Sequence, residues 1–339
     1  MYKIRTIATI TSLFFVIFLL CCSLTGCSKE VEREKTEEVL GTIVTIKVYT
    51  DKGDVPLEAA FDRAKELEMI LSANSADSEL CQMNQKAYEE EVKVSDELFY
   101  VVKKGIYYGK LTNGAIDISI GKLIDLWGIG TENAKVPKEK EILPYIGQHG
   151  YENIELNEEK KTIHFLDKNV QVNLGAIAKG YIADEMKKVL VEEYGVQHAM
   201  LSLGGNIVVI GDKPDGSKWN VGIANPLDTQ SVKASFSIQD KTVVTSGNYE
   251  RYLEQDGVCY HHILDATTGY PAENGLISTS ILTVNSIDAD ALSTATYVLG
   301  EEKALQVVEE IEDCEAVLIR ADGTTITSSG VSSYGYKEY

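Results

Sequence analysis

Cysteine is scarce and poorly placed for any covalent staple. Of the six in the chain, Cys21, Cys22 and Cys27 crowd the N-terminus, and Cys81, Cys259 and Cys314 are scattered. No CxxC pair or Cys/His cluster occurs, which argues against a zinc site and a disulfide framework. The three scattered thiols read as buried residues. Basic charge is also in deficit: 32 Lys and Arg face 52 Asp and Glu, a net charge of −20. Such a surface repels phosphate backbones and excludes nucleic acid as a partner. An anionic small molecule would need a cation and local backbone N–H groups. No repeat or low-complexity segment is evident. What is present is ordinary for a globular protein: 339 residues, 44% hydrophobic and 25% charged, enough for one large domain or two small ones without a metal or disulfide.

The N-terminus reads as an address. Lys3 and Arg5 precede an apolar run from Leu13 to Cys22, too short for a comfortable membrane span but suited to a signal peptide. The run leads to Leu24-Thr25-Gly26-Cys27, which looks like a lipobox. Residues 1–26 are thus expected to be removed, with Cys27 becoming the lipid-bearing first residue and residues 27–38 a charged, flexible tether. Removing Lys3 and Arg5 leaves a net charge of −22. The expected location is extracytoplasmic, anchored to the cell membrane through the lipid on Cys27.

Beyond the tether, periodicity places a strand at 42–49 and a helix from Pro56 with apolar residues at Leu57, Ala60, Phe61, Ala64, Leu67, Ile70 and Leu71. Further helices are predicted from Asp96 to about Leu111, capped by Ser95 or Asp96, at 137–146, at 175–194, at 288–299 and at 301–311. Strands are predicted at about 199–203, 206–210, 219–224, 232–238, 242–246, near Tyr260, and at 277–285, 316–320 and 325–327. Strands in runs with helices interspersed indicate an α+β architecture of mixed sheets. One domain is expected over residues 39–330, with 331–339 as a C-terminal tail.

Three segments carry chemistry. Asn173-Leu174-Gly175-Ala176-Ile177-Ala178-Lys179-Gly180 runs from a strand through a glycine turn into a helix, presenting unpaired N–H groups and one lysine, a natural place for phosphate. In Asp288-Ala289-Asp290-Ala291-Leu292-Ser293-Thr294, Asp290 and Thr294 are four apart and share a helix face. A carboxylate and a hydroxyl there are hard ligands suited to Mg²⁺. In Tyr260-His261-His262-Ile263-Leu264-Asp265, a histidine capable of moving protons near neutral pH stands three residues before an aspartate. Taken singly, each has a plainer reading: glycine as steric relief, aspartates as helix-start charges, histidine as a satisfied polar residue.

Taken together, in this order, the segments resemble the ApbE-type FAD:protein FMN transferases. The resemblance runs from about Leu40 to about Thr327. It includes Leu40-Gly41-Thr42, Asp77-Ser78-Glu79-Leu80, Gly114-Ala115-Ile116-Asp117, Leu126-Trp127-Gly128, Leu203-Gly204-Gly205-Asn206, Thr245-Ser246-Gly247 and Thr268-Gly269-Tyr270-Pro271. It implies an ApbE-like, T-fold-like α+β domain. It also implies a reaction in which FAD is the substrate, FMN passes to a Thr or Ser hydroxyl of an acceptor flavoprotein, and AMP leaves. Carried over residue by residue, the resemblance makes Asp290, Thr294, the Ala176 carbonyl and Ser293 ligands of Mg²⁺. It places Leu40, Asn74, Ala115, Ile116, Asp117, Asn173, Lys179, His262 and Ile263 against FAD, and makes His262 the proton acceptor, oriented by Asp265. The chain departs from the family pattern in Asn173 (commonly Asp), Ala266 (commonly Pro), Asn74 (often aromatic) and Leu40 (commonly Met). The alternatives are a Mg²⁺-dependent FAD pyrophosphatase built on the same residues, and an extracytoplasmic FAD-binding lipoprotein.

Overall fold

The computed structural model describes residues 30–147 and 150–339. The expected signal peptide and the lipidation site Cys27 lie outside the described residues. Among those described, no helix is long and apolar enough to cross a membrane.

The centre is an eight-stranded antiparallel sheet in the order β1-β2-β6-β7-β10-β13-β14-β15. Its strands are β1 (Val31–Val39), β2 (Thr42–Thr50), β6 (His198–Leu203), β7 (Asn206–Ile210), β10 (Thr242–Gly247), β13 (Leu276–Thr283), β14 (Glu315–Arg320) and β15 (Thr325–Thr327). Period-two alternation sends neighbouring side chains to opposite faces. Val44, Ile46, Val208, Val244, Ile281 and Leu318 enter one core, under helices α1 (Val55–Leu71), α6 (Ala178–Lys188) and α7 (Ser286–Leu299). Val209, Val243, Leu282, Val317 and Ile319 enter a second core. That second core is closed by β8 (Trp219–Asn225), β9 (Asp228–Ile238) and β16 (Lys337–Glu338), which contribute Trp219, Val221, Ile223 and Phe236. With both faces covered, the central strands read as near-continuous apolar runs such as Ile207-Val208-Val209-Ile210.

Smaller elements frame one end. They are α2 (Glu79–Lys86), α3 (Asp96–Leu111), α4 (Gly121–Trp127), α5 (Glu139–Ile142), α8 (Glu301–Glu309), a three-stranded sheet of β3 (Val92–Lys93), β5 (Thr162–Phe165) and β4 (Ile154–Asn157), and a ribbon of β11 (Tyr252–Gln255) and β12 (Val258–His261). α3 starts as expected, with the Ser95 hydroxyl accepting the Leu98 N–H at 3.2 Å.

Two expectations are corrected, on the tether and the thiols, and the C-terminal segment is described further. The charged tether is strand β1 from Val31 onward, paired along its whole length with β2. Its charges lie on exposed or half-buried positions and face partners across the ladder, as in Lys47 with Glu32 and Glu34, both at 3.2 Å, so high charge did not prevent pairing. The C-terminal tail is structured, since Lys337 and Glu338 add a strand to β9. Of the three scattered thiols only Cys314 is buried, and Cys259 is exposed on β12.

Candidate functional site

The site forms where α6 and α7 cross the ends of β7 and β10. α6 begins three residues later than its periodicity suggests, because the Asn173 side chain closes a turn by accepting the Gly175 N–H at 2.9 Å. At Gly180 the two helices are in backbone contact: a Cβ there would lie 2.2 Å from the Ser286 carbonyl oxygen. That approach lets the Gly180 N–H reach Asp290 Oδ2 at 2.9 Å instead of the Ala176 carbonyl four residues back, which is thereby released.

Asp290 is the anomaly of this region. It is 2% exposed on a helix buried almost all round. Oδ2 has the Gly180 N–H, but Oδ1 has only Lys179 Nζ at a loose 3.4 Å among the described residues. A buried carboxylate so thinly satisfied is costly unless something else completes it. Thr294, one turn on and partly exposed, meets Ser246 Oγ at 3.3 Å. The Asp290 carboxylate, the Thr294 hydroxyl and the Ala176 carbonyl are hard oxygen donors of the kind that hold Mg²⁺. No group of three His, Cys, Asp or Glu suited to a metal occurs among the described residues, which sets this oxygen-rich set apart from a zinc centre. The Ser293 hydroxyl is engaged elsewhere, donating to the Asp290 carbonyl at 2.9 Å and meeting Ser246 Oγ at 2.8 Å. Ser293 thus holds α7 and β10 together beside the donors.

His262 follows β12 directly. Its Nδ1 lies 3.1 Å from the Arg251 carbonyl. A carbonyl only accepts, so Nδ1 carries the proton and Nε2 keeps its lone pair. Burial pushes the imidazole pKa down to about 4, with the Arg251, His261 and Lys179 charges adding to the shift against the Arg251 carbonyl. His262 is therefore a neutral base at pH 7. The Asp265 carboxylate accepts the Thr267 N–H at 2.8 Å within its own turn, and among the described residues no hydrogen bond joins it to His262. That turn is held from α4, where Trp127 donates to the Gly269 carbonyl at 2.8 Å and packs against Tyr260 and Tyr270.

The remaining FAD candidates divide. The Asn173 N–H donates to the Ile118 carbonyl at 2.8 Å, bringing Ala115, Ile116 and Asp117 toward the α6 turn. The Asp117 carboxylate itself is turned inward to the Ser119 N–H and hydroxyl and the Tyr151 N–H. Burial raises its pKa against those hydrogen bonds. Leu40 has φ +62° in the β1–β2 turn, next to Thr42, whose Oγ1 a Cβ on Gly204 would meet at 2.4 Å. Leu40 thus stands in the turn beside Gly204, in a backbone conformation that favours glycine. Ile263 is buried and its carbonyl accepts the Ala272 N–H. Asn74 is exposed, in a loop tied to Ser72.

Sequence reasoning passed over Ser246, the Arg251 carbonyl and Glu250. Ser246 was visible only as part of Thr245-Ser246-Gly247. Glu250 shares the electrostatics of the centre: crowding by surrounding protein raises its pKa and the Asp290 charge adds, with Lys179 and Arg251 opposing. No periodicity in the sequence marks it.

An oxygen-donor set beside a lysine and the turn that opens α6, with a neutral histidine nearby, is chemistry suited to a cation and a phosphate group. The comparisons name the family. Residues 40–318 match the profile of the ApbE family, and the chain belongs to it. A protein from Treponema pallidum (strain Nichols) named FAD:protein FMN transferase is 33% identical over 337 residues, 93% of either chain. One of the same name from Vibrio cholerae is 33% identical over 324 residues, again 93% of either chain. The crystal structure of the ApbE protein of Thermotoga maritima superposes with a TM-score of 0.83 at 30% identity, covering 90% of this chain and 99% of that one. The flavin transferase ApbE of Vibrio cholerae gives 0.80 at 30%, with the same coverage.

Proposed function

We propose that this chain transfers FMN from FAD to a Thr or Ser hydroxyl of an acceptor flavoprotein, with Mg²⁺ at Asp290, Thr294 and the Ala176 carbonyl. The observation that carries this reading is the buried Asp290 carboxylate, thinly satisfied and set beside two further oxygen donors in a member of the ApbE family. When bound, Mg²⁺ would neutralise pyrophosphate charge and steady the leaving AMP. Lys179 adds a second positive charge at the same turn. His262 Nε2 takes the proton of the acceptor hydroxyl. Its oxygen attacks the FMN-side phosphorus, the bond to the AMP-side oxygen breaks, and AMP departs. The backbone of residues 115–118 and the Asn173 turn form a wall for the flavin nucleotide. Asn173 keeps an acceptor oxygen where the family commonly has Asp, and that oxygen is the one used in the turn.

The test uses the full chain, FAD, MgCl₂ and an acceptor domain, read by intact mass of the acceptor with Asp290→Ala as control. A gain of one FMN phosphoryl unit, lost in the control, supports transfer. Exposed Asn74 favours a second reading, Mg²⁺-dependent hydrolysis of FAD, because an aromatic cover over the substrate is missing there. Free FMN and AMP with an unmodified acceptor would select that reading. FAD bound but left whole would select storage and sink the catalytic assignments. We further infer that the domain works outside the cytoplasmic membrane, lipid-anchored through Cys27. Globomycin-sensitive processing and Cys27→Ser release from membranes test that placement.

A further inference from the structure

Helix α7, which carries Asp290 and Thr294, does not cap itself. Its N-cap residue Asn285 accepts no backbone N–H of the first turn; its amide donates to the Asp288 carboxylate at 2.9 Å, and the buried Ser286 hydroxyl has no hydrogen-bond partner among the described residues. The two leading N–H groups are taken by a residue of the neighbouring helix. Ser286 N–H reaches Asp184 Oδ1 at 2.8 Å and Ile287 N–H reaches Asp184 Oδ2 at 2.9 Å. Asp184 stands one turn after Gly180 on α6, on the same face. The helices are thus tied reciprocally: Gly180 of α6 donates to Asp290 of α7, and Asp184 of α6 accepts from the start of α7. With their backbones in contact at Gly180 and Ser286, these two ties fix how far one helix can slide along the other.

We propose that Asp184 is a positioning residue for the cation centre, setting through the Ser286 and Ile287 N–H groups where the Asp290 carboxylate lies relative to Gly180 and Lys179. The inference rests on the proposed role of Asp290. Its consequence is a pH dependence. Burial, reinforced by the Asp288 charge, pushes the Asp184 pKa up to about 6, against the two N–H groups and Lys187. The other charges facing it are largely paired. Asp288 is bound by Lys104 of α3 at 2.8 Å. Arg63 of α1 holds Glu97 of α3 and Glu185 of α6 at 3.0 and 2.8 Å. Asp96, Lys188, Glu192 and the Tyr100 and Tyr181 phenols line the same open recess, of about 640 Å³, through which solvent reaches Asp184. Above pH 6 the ionised carboxylate accepts both N–H groups. Below it, the oxygen that takes the proton becomes a weaker acceptor, and the N–H bond it holds weakens. Global stability moves the other way. Because the folded pKa is raised, Asp184's contribution is fully present below its unfolded value near 4 and is lost as pH rises through 6.

The test is Asp184→Asn in the full chain, read by amide hydrogen exchange at Gly180, Ser286 and Ile287 at pH 5 and 7.5 without metal, and by Mn²⁺ titration. The amide accepts one N–H and turns its own donor to the other, so it mimics the protonated state at every pH. Wild type should lose about tenfold protection at these amides between pH 7.5 and 5, the size expected of one hydrogen bond to a charged group. The variant should show the low value at both pH values and bind Mn²⁺ about tenfold more weakly at pH 7.5. Melting at pH 5 and 7.5 confirms that both proteins are folded. Equal protection and equal Mn²⁺ affinity in folded wild type and variant would overturn the proposal. If wild type binds no Mn²⁺ at all, the cation reading fails. The exchange data then decide whether Asp184 sets the helix register.

Discussion

Helices α1 and α7 are similar in length, 17 and 14 residues, and pack into the same core against the same sheet face. They are built on opposite plans. α1 is two-faced: Leu57, Ala60, Phe61, Ala64, Leu67 and Leu71 are buried at helical spacing, and Glu58, Lys65 and Glu66 are exposed. α7 is buried nearly all round, yet it includes Ser286, Asp290, Ser293 and Thr296 among its buried residues. The charged side chains of α1 all reach the surface at least in part. The buried polar groups on α7 must find partners, as Thr296 does in the Leu292 carbonyl at 2.7 Å and Ser293 in the Asp290 carbonyl. Ser286 and Asp290 are left with incomplete sets, and of the two only Asp290 is a carboxylate. A buried polar group retained at such cost marks the place where the protein does its work.

The largest effect that sharpens this contrast is Asp290→Ala. Transfer should fall beyond the ~10²–10³-fold that one preorganised donor carries. The melting temperature should hold or rise, since a poorly satisfied buried charge is removed. Calorimetric unfolding alongside the acceptor mass assay checks both, and a collapse in stability with proportionate activity would break the comparison. His262→Ala should cost on the order of 10²–10⁴-fold. With its pKa lowered to about 4 by burial, His262 stays neutral far below pH 7. Its contribution to stability is present above the unfolded value near 6.5 and is lost as pH falls through 4. The wild-type rate should therefore show no His262-dependent acid limb above about pH 5. A limb at pH 6–7 that vanishes in the variant would refute the assignment.

On α1 the expected pattern reverses. Phe61 is fully buried, so Phe61→Ala should destabilise by about 3–5 kcal/mol with kcat near wild type at temperatures where the variant is folded. Denaturant titration with kinetics at low temperature checks it. The smallest effect belongs to Lys65→Ala, which removes an exposed ion pair with Glu37. A stability change under about 1 kcal/mol and no change in transfer are expected.

The contrast also explains what was legible. α1 was readable from its start at Pro56 because burial on one face imposes a period on its residues. α7 was found two residues late, at Asp288, because its first turn is capped by Asp184, more than a hundred residues away. α2, α4 and β11 were missed; they are short, and their places are set by contacts such as Asn84 with the Val172 backbone at 2.8 Å in both directions. The pairing of Asp290 with Thr294 followed from local helical geometry. Nothing local marks the partner of His262: its Nδ1 meets the Arg251 carbonyl eleven residues away, while Asp265 is engaged within its own turn.

Sequence alone determined the alternation of the central strands, the amphipathic helices, the order of the motifs and hence the family. These depend on local periodicity or on residue identity, both of which survive in one dimension. Tertiary structure decided that the charged segment after residue 30 pairs as a strand and that the Arg251 carbonyl sets the tautomer of His262. It also decided that Gly180 and Asp184 tie α6 to α7 around Asp290. Each of these rests on a backbone group or a burial cost contributed by a distant segment, and such terms exist only once the chain has closed on itself.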